Sequence, residues 1–423
     1  MNGRKARHYK WQVAGFLALL GALNYADRTA LNSVFPLLKQ DLHLSDVQLA
    51  ATGTVFLWTY GLLSPFAGYI ADQCSRSRLI ILSVTGWSAV TLLTGFVTTA
   101  TSLLVTRALL AITECLYIPA AIALVADYHK SPTRATAVSF QICGTSVGMV
   151  AGGTLAGYLG GEYGWRASFR MLGAFGFILA IVASQILSDV TPIPGRRESQ
   201  PQRKDFFRSL LRDFEKLLAI RAYQVIVVQG IVQAIAVWTV IHWLPLYFKE
   251  SFEISLLSAG FFGTFLLNSG QLTGTLVGGY SSDQFAIENV LRRMLLQGVG
   301  YIVSAPFLLA FWWSPGFATT AAIIFLFGLI RSLANSNENP FVCDLLPSGQ
   351  RSQAIGFMNL SLSLGSGLGV LISGYFKQDF GLPVIFASAS VLMLTSGFIL
   401  ICGYRALNHA RLSHSSEPVG KST

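Results

Sequence analysis

Two stretches set 217 residues apart decide the architecture: DYHKSPTRATAVSFQICGTSVGMVAGGTLAGYLGGEYG (Asp127–Gly164) and DLLPSGQRSQAIGFMNLSLSLGSGLGVLISGYFKQDFG (Asp344–Gly381). Identical residues fall at Asp127/Asp344, Arg134/Arg351, Ala137/Ala354, Phe140/Phe357, Gly148/Gly365, Gly152/Gly369, Gly157-Tyr158/Gly374-Tyr375 and Gly164/Gly381. A second match, at an offset of 211, pairs Gly68-Tyr69 with Gly279-Tyr280 and Asp72-Gln73 with Asp283-Gln284, so the copies differ by a short insertion. Chance seldom aligns so many glycines and charges, and the chain therefore contains two halves with the same order of elements.

The surroundings of these stretches say what the elements are. Of 423 residues, 52% are hydrophobic and 12% charged, about half the charge of a soluble domain. Apolar runs of about 20 residues recur throughout, each long enough to cross a hydrocarbon core of roughly 30 Å. Backbone polar groups cannot stay unpaired in lipid, so the runs are helices and not the alternating strands of a barrel. The pattern predicts an all-α polytopic membrane protein with spans near 11–36, 47–72, 78–98, 101–128, 134–160, 166–188, 221–248, 255–283, 291–313, 317–345, 350–376 and 382–404. These twelve transmembrane helices form two pseudo-symmetric six-helix bundles, 11–188 and 221–404. Both copies face the same way, which places the expected solute site near the membrane midplane between them.

An N-terminal cytoplasmic placement leaves 22 of the 30 Lys and Arg residues in cytoplasmic segments and adjoining helix ends, and the opposite placement inverts that asymmetry. Residues 1–10 and 405–423 are then cytoplasmic. Residues 189–220 form a cytoplasmic linker in which Phe206, Phe207, Leu210, Leu211, Phe214, Leu217 and Leu218 predict an amphipathic helix on the membrane surface. The net charge of +10 matches basic loops beside anionic lipid and requires no nucleic acid. The first span lacks an A-x-A-like cleavage site and reads as a retained helix. Cys74, Cys115, Cys143, Cys343 and Cys402 lack the paired spacing of a disulfide framework or zinc site and read as packing residues. No P-loop and no H-E-x-x-H occurs, so nothing points to an enzyme, a cofactor or a metal.

The segment G-Y-I-A-D-Q-C-S-R-S-R (Gly68–Arg78) resembles the loop signature of the major facilitator superfamily, with a partial copy from Gly279 to Gln284. The resemblance implies that Gly68, Asp72, Arg76 and Asp283 belong to a cytoplasmic gate motif. Gln73 and Ser75 depart from that pattern, where a base and a glycine are usual. Within the superfamily, N-Y-A-D-R (Asn24–Arg28) and R-A-L-L-A-I-T-E (Arg107–Glu114) are similar to the anion:cation symporter family, whose members carry sugar acids, hexuronates, sialic acid and other carboxylates with protons. Spinster-type lipid transporters are similar at the same places and at D-Q-C-S-R.

Ionised side chains near the bilayer centre cost about 2.5–3.5 kcal/mol each on insertion scales. Asp27, Arg28, Arg107, Glu114 and Arg331 must therefore be paired or wetted. Asp27 and Arg107 fall at similar depth. Glu114, seven residues after Arg107, shares its helix face about 10 Å deeper, so Arg107 can answer to either carboxylate. The reading assigns the substrate carboxylate to Arg28 and proton coupling to Asp27 and Glu114 with Arg107. By the resemblance, Tyr25 and Tyr60 add hydroxyl contacts. In the second half Arg331 occupies the repeat position of Glu114, and Asn335 follows one turn later, with Glu338 close by; Gln141 and Asn359 are further polar candidates. His242 and Trp243 read as an interfacial aromatic belt more readily than as a gate. Gly144, Gly148 and Gly152 predict close helix packing. The functional expectation is a proton-coupled symporter of a small organic anion, probed against a spinster-like lysolipid carrier and a membrane solute sensor that binds without moving its ligand. A monomer in a bacterial inner membrane completes it.

Overall fold

The computed structural model describes residues 3–129, 131–189, 212, 214–286, 290–347 and 350–415. Its elements are α1 (Gly3–Ser33), α2 (Phe35–Asp41), α3 (Asp46–Gln73), α4 (Arg76–Thr94), α5 (Ala100–Glu114), α6 (Tyr117–Tyr128), α7 (Ser131–Tyr163), α8 (Trp165–Ile186), α9 (Arg221–Phe252), α10 (Leu256–Ala286), α11 (Arg292–Leu309), α12 (Phe317–Asn335), α13 (Glu338–Leu345) and α14 (Arg351–Ser415). With α5–α6 and α12–α13 as broken spans and α14 folded back at Gly381, these helices make the twelve expected crossings. Eight helices among the described residues are long and apolar enough to cross a membrane; α1, which bears Asp27 and Arg28, α3 and α10 are not among them. Most of the expected linker, 190–211 and 213, lies outside the described residues, as do 416–423 of the tail.

Local chemistry explains the ends. Ser45 and Gln48 form a capping box at α3, and Thr99 with Ser102 forms another at α5. At α4 the Ser77 amide donates to Asp189 Oδ1 at 2.9 Å and the Ser75 hydroxyl donates to the same carboxylate. Burial pushes the Asp189 carboxyl up, but these donors outweigh it and hold the group below its ordinary value. Asp41 behaves alike: Arg166, at 2.6 Å, and Trp165 hold it down against its partial burial.

Two interruptions went unpredicted. Helical bonding lapses at Cys115–Leu116 and at Ser336–Asn337, each four or three residues before a proline, Pro119 or Pro340. A proline lacks the N–H that the fourth preceding carbonyl would accept, and its ring crowds that carbonyl.

The repeat is visible in side-chain detail. Arg76 pairs with Asp127, and Arg293 pairs with Asp344 at 3.1 Å; each partner in the second pair lies 217 residues after its counterpart. Arg134 Nε donates to the His129 carbonyl at 3.1 Å, and Arg351 Nε to the Leu346 carbonyl at 3.0 Å. Gly164 (φ 81°) and Gly381 (φ 74°) adopt the same positive-φ turn between consecutive crossings, a conformation open to glycine at low cost. Gly144, Gly148 and Gly152 of α7 lie against the backbone of Ala18, Ala22 and Ala26 of α1, as their spacing predicts.

The chain clusters into two compact units: Met1–Gln202 with Trp238–Asn268 and Ser366–Leu382, and Arg203–Val237 with Ser269–Gly365 and Pro383–Thr423. Unit 1 thus holds the first six crossings with residues 238–252 of α9, 256–268 of α10 and 366–382 of α14. Unit 2 holds the remainder of those helices with α11, α12 and α13. In unit 2, Gly270, Gly274 and Gly278 of α10 pack on the backbone of Phe325, Leu329 and Leu333 of α12.

Candidate functional site

Unit 1 gathers most of the sequence-predicted charged residues into one buried cluster. Arg28 Nε donates to Glu114 Oε2 at 2.7 Å, linking the C-terminal part of α1 to the last residue of α5. The Arg28 guanidinium lies 4.7 Å from the Tyr25 ring centroid, 4.6 Å from Tyr60 and 5.0 Å from Phe56. This aromatic box favours a weakly hydrated planar cation over water. Asp27, Arg107 and Glu114 are all buried, and Asp27 lies in the electrostatic field of Glu114, Arg107 and Arg28. Arg107 stands 5.9 Å from the Phe169 ring centroid. Asn24 is buried beside Glu114.

The pairing is incomplete. Asp27 Oδ1, Arg28 Nη2, Arg107 Nε and Nη2, Glu114 Oε1 and both side-chain polar atoms of Asn24 are buried without a hydrogen-bond partner. Buried polar atoms in folded proteins are nearly always satisfied. The exceptions concentrate among two arginines and two carboxylates, the kind of buried titratable cluster that makes a candidate functional site. The sequence places Tyr25, Tyr60, Asp27, Arg28, Arg107 and Glu114 here as predicted residues. Phe56 and Phe169 were missed; Phe56 lies four residues before Tyr60, a spacing that puts both on one face of α3.

Gln141 is engaged elsewhere. Its Nε2 donates to the Tyr117 hydroxyl at 2.9 Å, which donates to the Leu17 carbonyl at 2.5 Å. This is helix-to-helix bonding among α1, α6 and α7.

Unit 2 holds a second buried polar cluster. Gln297 Nε2 donates to the Tyr301 hydroxyl at 3.0 Å, and Tyr301 donates to Asn335 Oδ1 at 2.9 Å. Arg331 and Glu338 are buried beside them, with Arg331 Nη2 3.3 Å from Ser332 Oγ. Asn359 is exposed on α14. Gln297 and Tyr301, both on α11, were not singled out by sequence; they are one helical turn apart on a face that also carries Ser304 and Leu308, which hydropathy reads as ordinary core.

Of the gate motif, Arg76 pairs with Asp127 and also donates to the Ala123 carbonyl at 3.1 Å. Among the described residues, and apart from its own helix, nothing stands within 4 Å of a methyl group placed on Gly68. The side chains of Asp72 and Asp283 lie outside the described residues.

The end of unit 1 at which α3 begins and α9 ends is sealed. Gly260 of α10 meets the Gly153 backbone of α7, Gly374 of α14 meets Ala50 of α3, and Gly53 of α3 accommodates His242. Thr54 donates to the Gly367 carbonyl at 2.9 Å, Thr239 to the Gly369 carbonyl at 3.0 Å, and Trp243 Nε1 to Ser373 Oγ at 2.8 Å. Lys377 lies 3.0 Å from Glu250 and 3.4 Å from Asp46, which also pairs with Lys39 at 2.8 Å. His242 and Trp243 are buried in this seal, their rings 5.0 and 5.6 Å from Phe35. This corrects the interfacial-belt expectation: protein, and not lipid headgroups, surrounds them.

The family model of the Major Facilitator Superfamily matches residues 17–303 and 262–421. The chain belongs to this superfamily. It is therefore a multi-pass membrane transporter of the superfamily, acting on a small molecule. It is 22% identical to the probable galactarate/D-glucarate transporter GarP of Escherichia coli (strain K12), over 95% of this chain and 96% of that protein. It is 27% identical to protein spinster homolog 1 of Xenopus tropicalis over 76% of this chain, spanning 63% of that relative's length. Among solved structures, a bacterial homolog of the human lysosomal transporter spinster, inward-facing and unoccupied, superposes with a TM-score of 0.76 at 21% identity, covering 94% of this chain and 96% of that one. The superfamily membership bears out the family resemblance drawn from the sequence, and the structural likeness agrees with the twelve-crossing fold.

Proposed function

We propose that this superfamily member is a proton-coupled symporter of a small organic anion of the sugar-acid, hexuronate or sialic-acid type. The observation that carries the reading is the buried Arg28–Glu114 ion pair, with Asp27 and Arg107 beside it. Counted as ionised, the two arginines and two carboxylates sum to zero charge. A proton on Glu114 frees Arg28 and leaves one uncompensated positive charge, which a substrate carboxylate neutralises by bidentate pairing with the guanidinium. Solute and proton then enter together because either alone leaves a buried charge uncompensated. Tyr25 and Tyr60, already against the Arg28 guanidinium, supply hydroxyls to the polyol body. In the second half Arg331 and Asn335 offer further polar contacts. The 22% identity to a galactarate/D-glucarate transporter supports the substrate class.

The basic loops favour cytoplasmic termini, which makes the sealed end of unit 1 the external one. We place the carrier, as a monomer, in a bacterial inner membrane. Asp72, Arg76 and Asp283 are the proposed cytoplasmic gate. The spinster likeness favours a second reading, a lysolipid carrier.

Uptake of radiolabelled sugar acids and sialic acid into proteoliposomes, with and without an inward proton gradient, tests these readings. Gradient-stimulated uptake that Arg28→Ala abolishes and Glu114→Gln uncouples is the expected result. A folded, thermally stable wild type that moves none of the acids but moves lysolipids overturns it in favour of the second reading.

A further inference from the structure

Each half contains one span broken by a proline, and each break carries a buried carboxylate. Glu114 closes α5, and Glu338 opens α13. Their surroundings differ in one respect. Glu114 is bonded to Arg28, whereas Glu338, 5% exposed, has no cation within ion-pair distance among the described residues, and its Oε1 is buried without a partner.

The elements packed around Glu338 offer little to hold an anion. α9 presents Gly230, which has Leu362 of α14 on the same side as the carboxylate. α11 presents Tyr301, whose hydroxyl is committed to Asn335, and α12 presents Arg331, which acts at longer range and has an unpartnered Nε of its own. Arg331 and Tyr301 are the charged and titratable groups that face this carboxylate among the described residues. Gln297, at the head of the same hydrogen-bonded chain, keeps its Oε1 buried and unbonded. A carboxylate kept ionised here forfeits hydration and gains no ion pair. A carboxylic acid is neutral and adds a donor to a cluster that holds an unsatisfied acceptor in Gln297 Oε1.

We propose that Glu338 is a second proton-carrying carboxylate, loaded and released separately from the Asp27–Glu114 pair. The step is an O–H bond formed on Glu338 from one aqueous phase and broken to the other, with no other bond changed. The transport consequence rests on the symport reading above: each cycle would move one proton more than the unit 1 cluster alone provides.

The test is infrared difference spectroscopy of the full-length protein in liposomes titrated over pH, joined to the proton-to-solute ratio from reversal potentials. A protonated-carboxyl band that survives in Asp27→Asn/Glu114→Gln, disappears in Glu338→Gln and shifts in Glu338→Asp is expected, with the ratio lower by one proton in Glu338→Gln. The aspartate variant keeps the acid and guards against a folding failure of the amide. Bands unchanged in Glu338→Gln overturn the proposal. Loss of the band in Glu338→Gln, found together with wild-type uptake that ignores proton gradients, removes the carrying role and the symport reading together, while leaving Glu338 a titrating group.

Discussion

Replacing Lys377 by methionine tests the seal of unit 1. Methionine keeps an apolar stem beside Trp243, over which the ammonium now lies at 5.8 Å, and deletes only the charge. At 3.0 Å from Glu250 and 3.4 Å from Asp46, each attraction is about 5 kcal/mol gross at an effective dielectric near 20. Most of that is offset. Glu250 lies in the same half as Lys377, so its pair does not resist opening, and at 45% exposed water and salt hold it to about 0–1 kcal/mol in any case. Asp46 is 10% exposed but keeps Lys39 at 2.8 Å, so no orphaned charge remains when Lys377 is lost. A net 1–2 kcal/mol follows, a shift of roughly 5–30-fold toward the open seal. A cysteine at Ser33, buried between Gly153 and Gly260, reports opening through its alkylation by a membrane-impermeant maleimide in a background with the native cysteines replaced. The labelling rate should rise by that factor in Lys377→Met and stay unchanged in Lys39→Met, whose lysine bonds only within the first half. Equal rates in Lys377→Met and the parent, in protein with an unaltered melting temperature, would sink the reasoning; so would an equal rise in Lys39→Met.

Gly148→Leu drives a side chain into the Ala22 backbone and should abolish a cooperative melt, whereas Gly15→Ala, with nothing within 4 Å, should leave the melting temperature within about a degree, as surface changes do. Double-mutant cycles on Arg76/Asp127 and on Arg293/Asp344 should each give a coupling of about 0.5–1 kcal/mol, the scale of partly exposed pairs; a coupling of zero in either cycle would contradict its pairing. Asp189→Ala should cost about 1 kcal/mol as a lost helix cap. Because the Asp189 carboxyl is held below its ordinary value, its contribution is full above about pH 4 and vanishes as pH falls through the lowered value; melting profiles of the two proteins that stay parallel down to pH 2 would refute it.

The crossings were legible because length and apolarity are strictly required by the bilayer, and the repeat because glycines and charges at fixed offset have few other causes. The membership of the first-half cluster was legible for the same reason: Asp27, Arg28, Arg107 and Glu114 are too costly in lipid to stand alone. Its wiring was not. Whether Glu114 meets Arg28 or Arg107 depends on the rotation of α1 against α5, which no single-helix periodicity encodes. His242 and Trp243 were misjudged because hydropathy cannot tell a side chain buried in protein from one seated at a lipid interface. The breaks at Pro119 and Pro340 obey a local rule, but averaging over 20 apolar residues conceals a single missing hydrogen bond. Gln141 looked like a cavity residue for want of its partner, Tyr117, which lies on another helix.

The glycine contacts of the seal bear on speed as well as on closure. Where Gly153 meets Gly260, backbone lies on backbone, and no side chain must leave one rotamer and find another before the surfaces part. Such a joint has little internal friction, so its lifetime is set by the few discrete latches across it: the Thr54 hydrogen bond to Gly367 and the Lys377–Asp46 pair. The rate at which this end opens should therefore respond in graded steps to single-residue changes, like a door held by countable catches instead of by the fit of its frame.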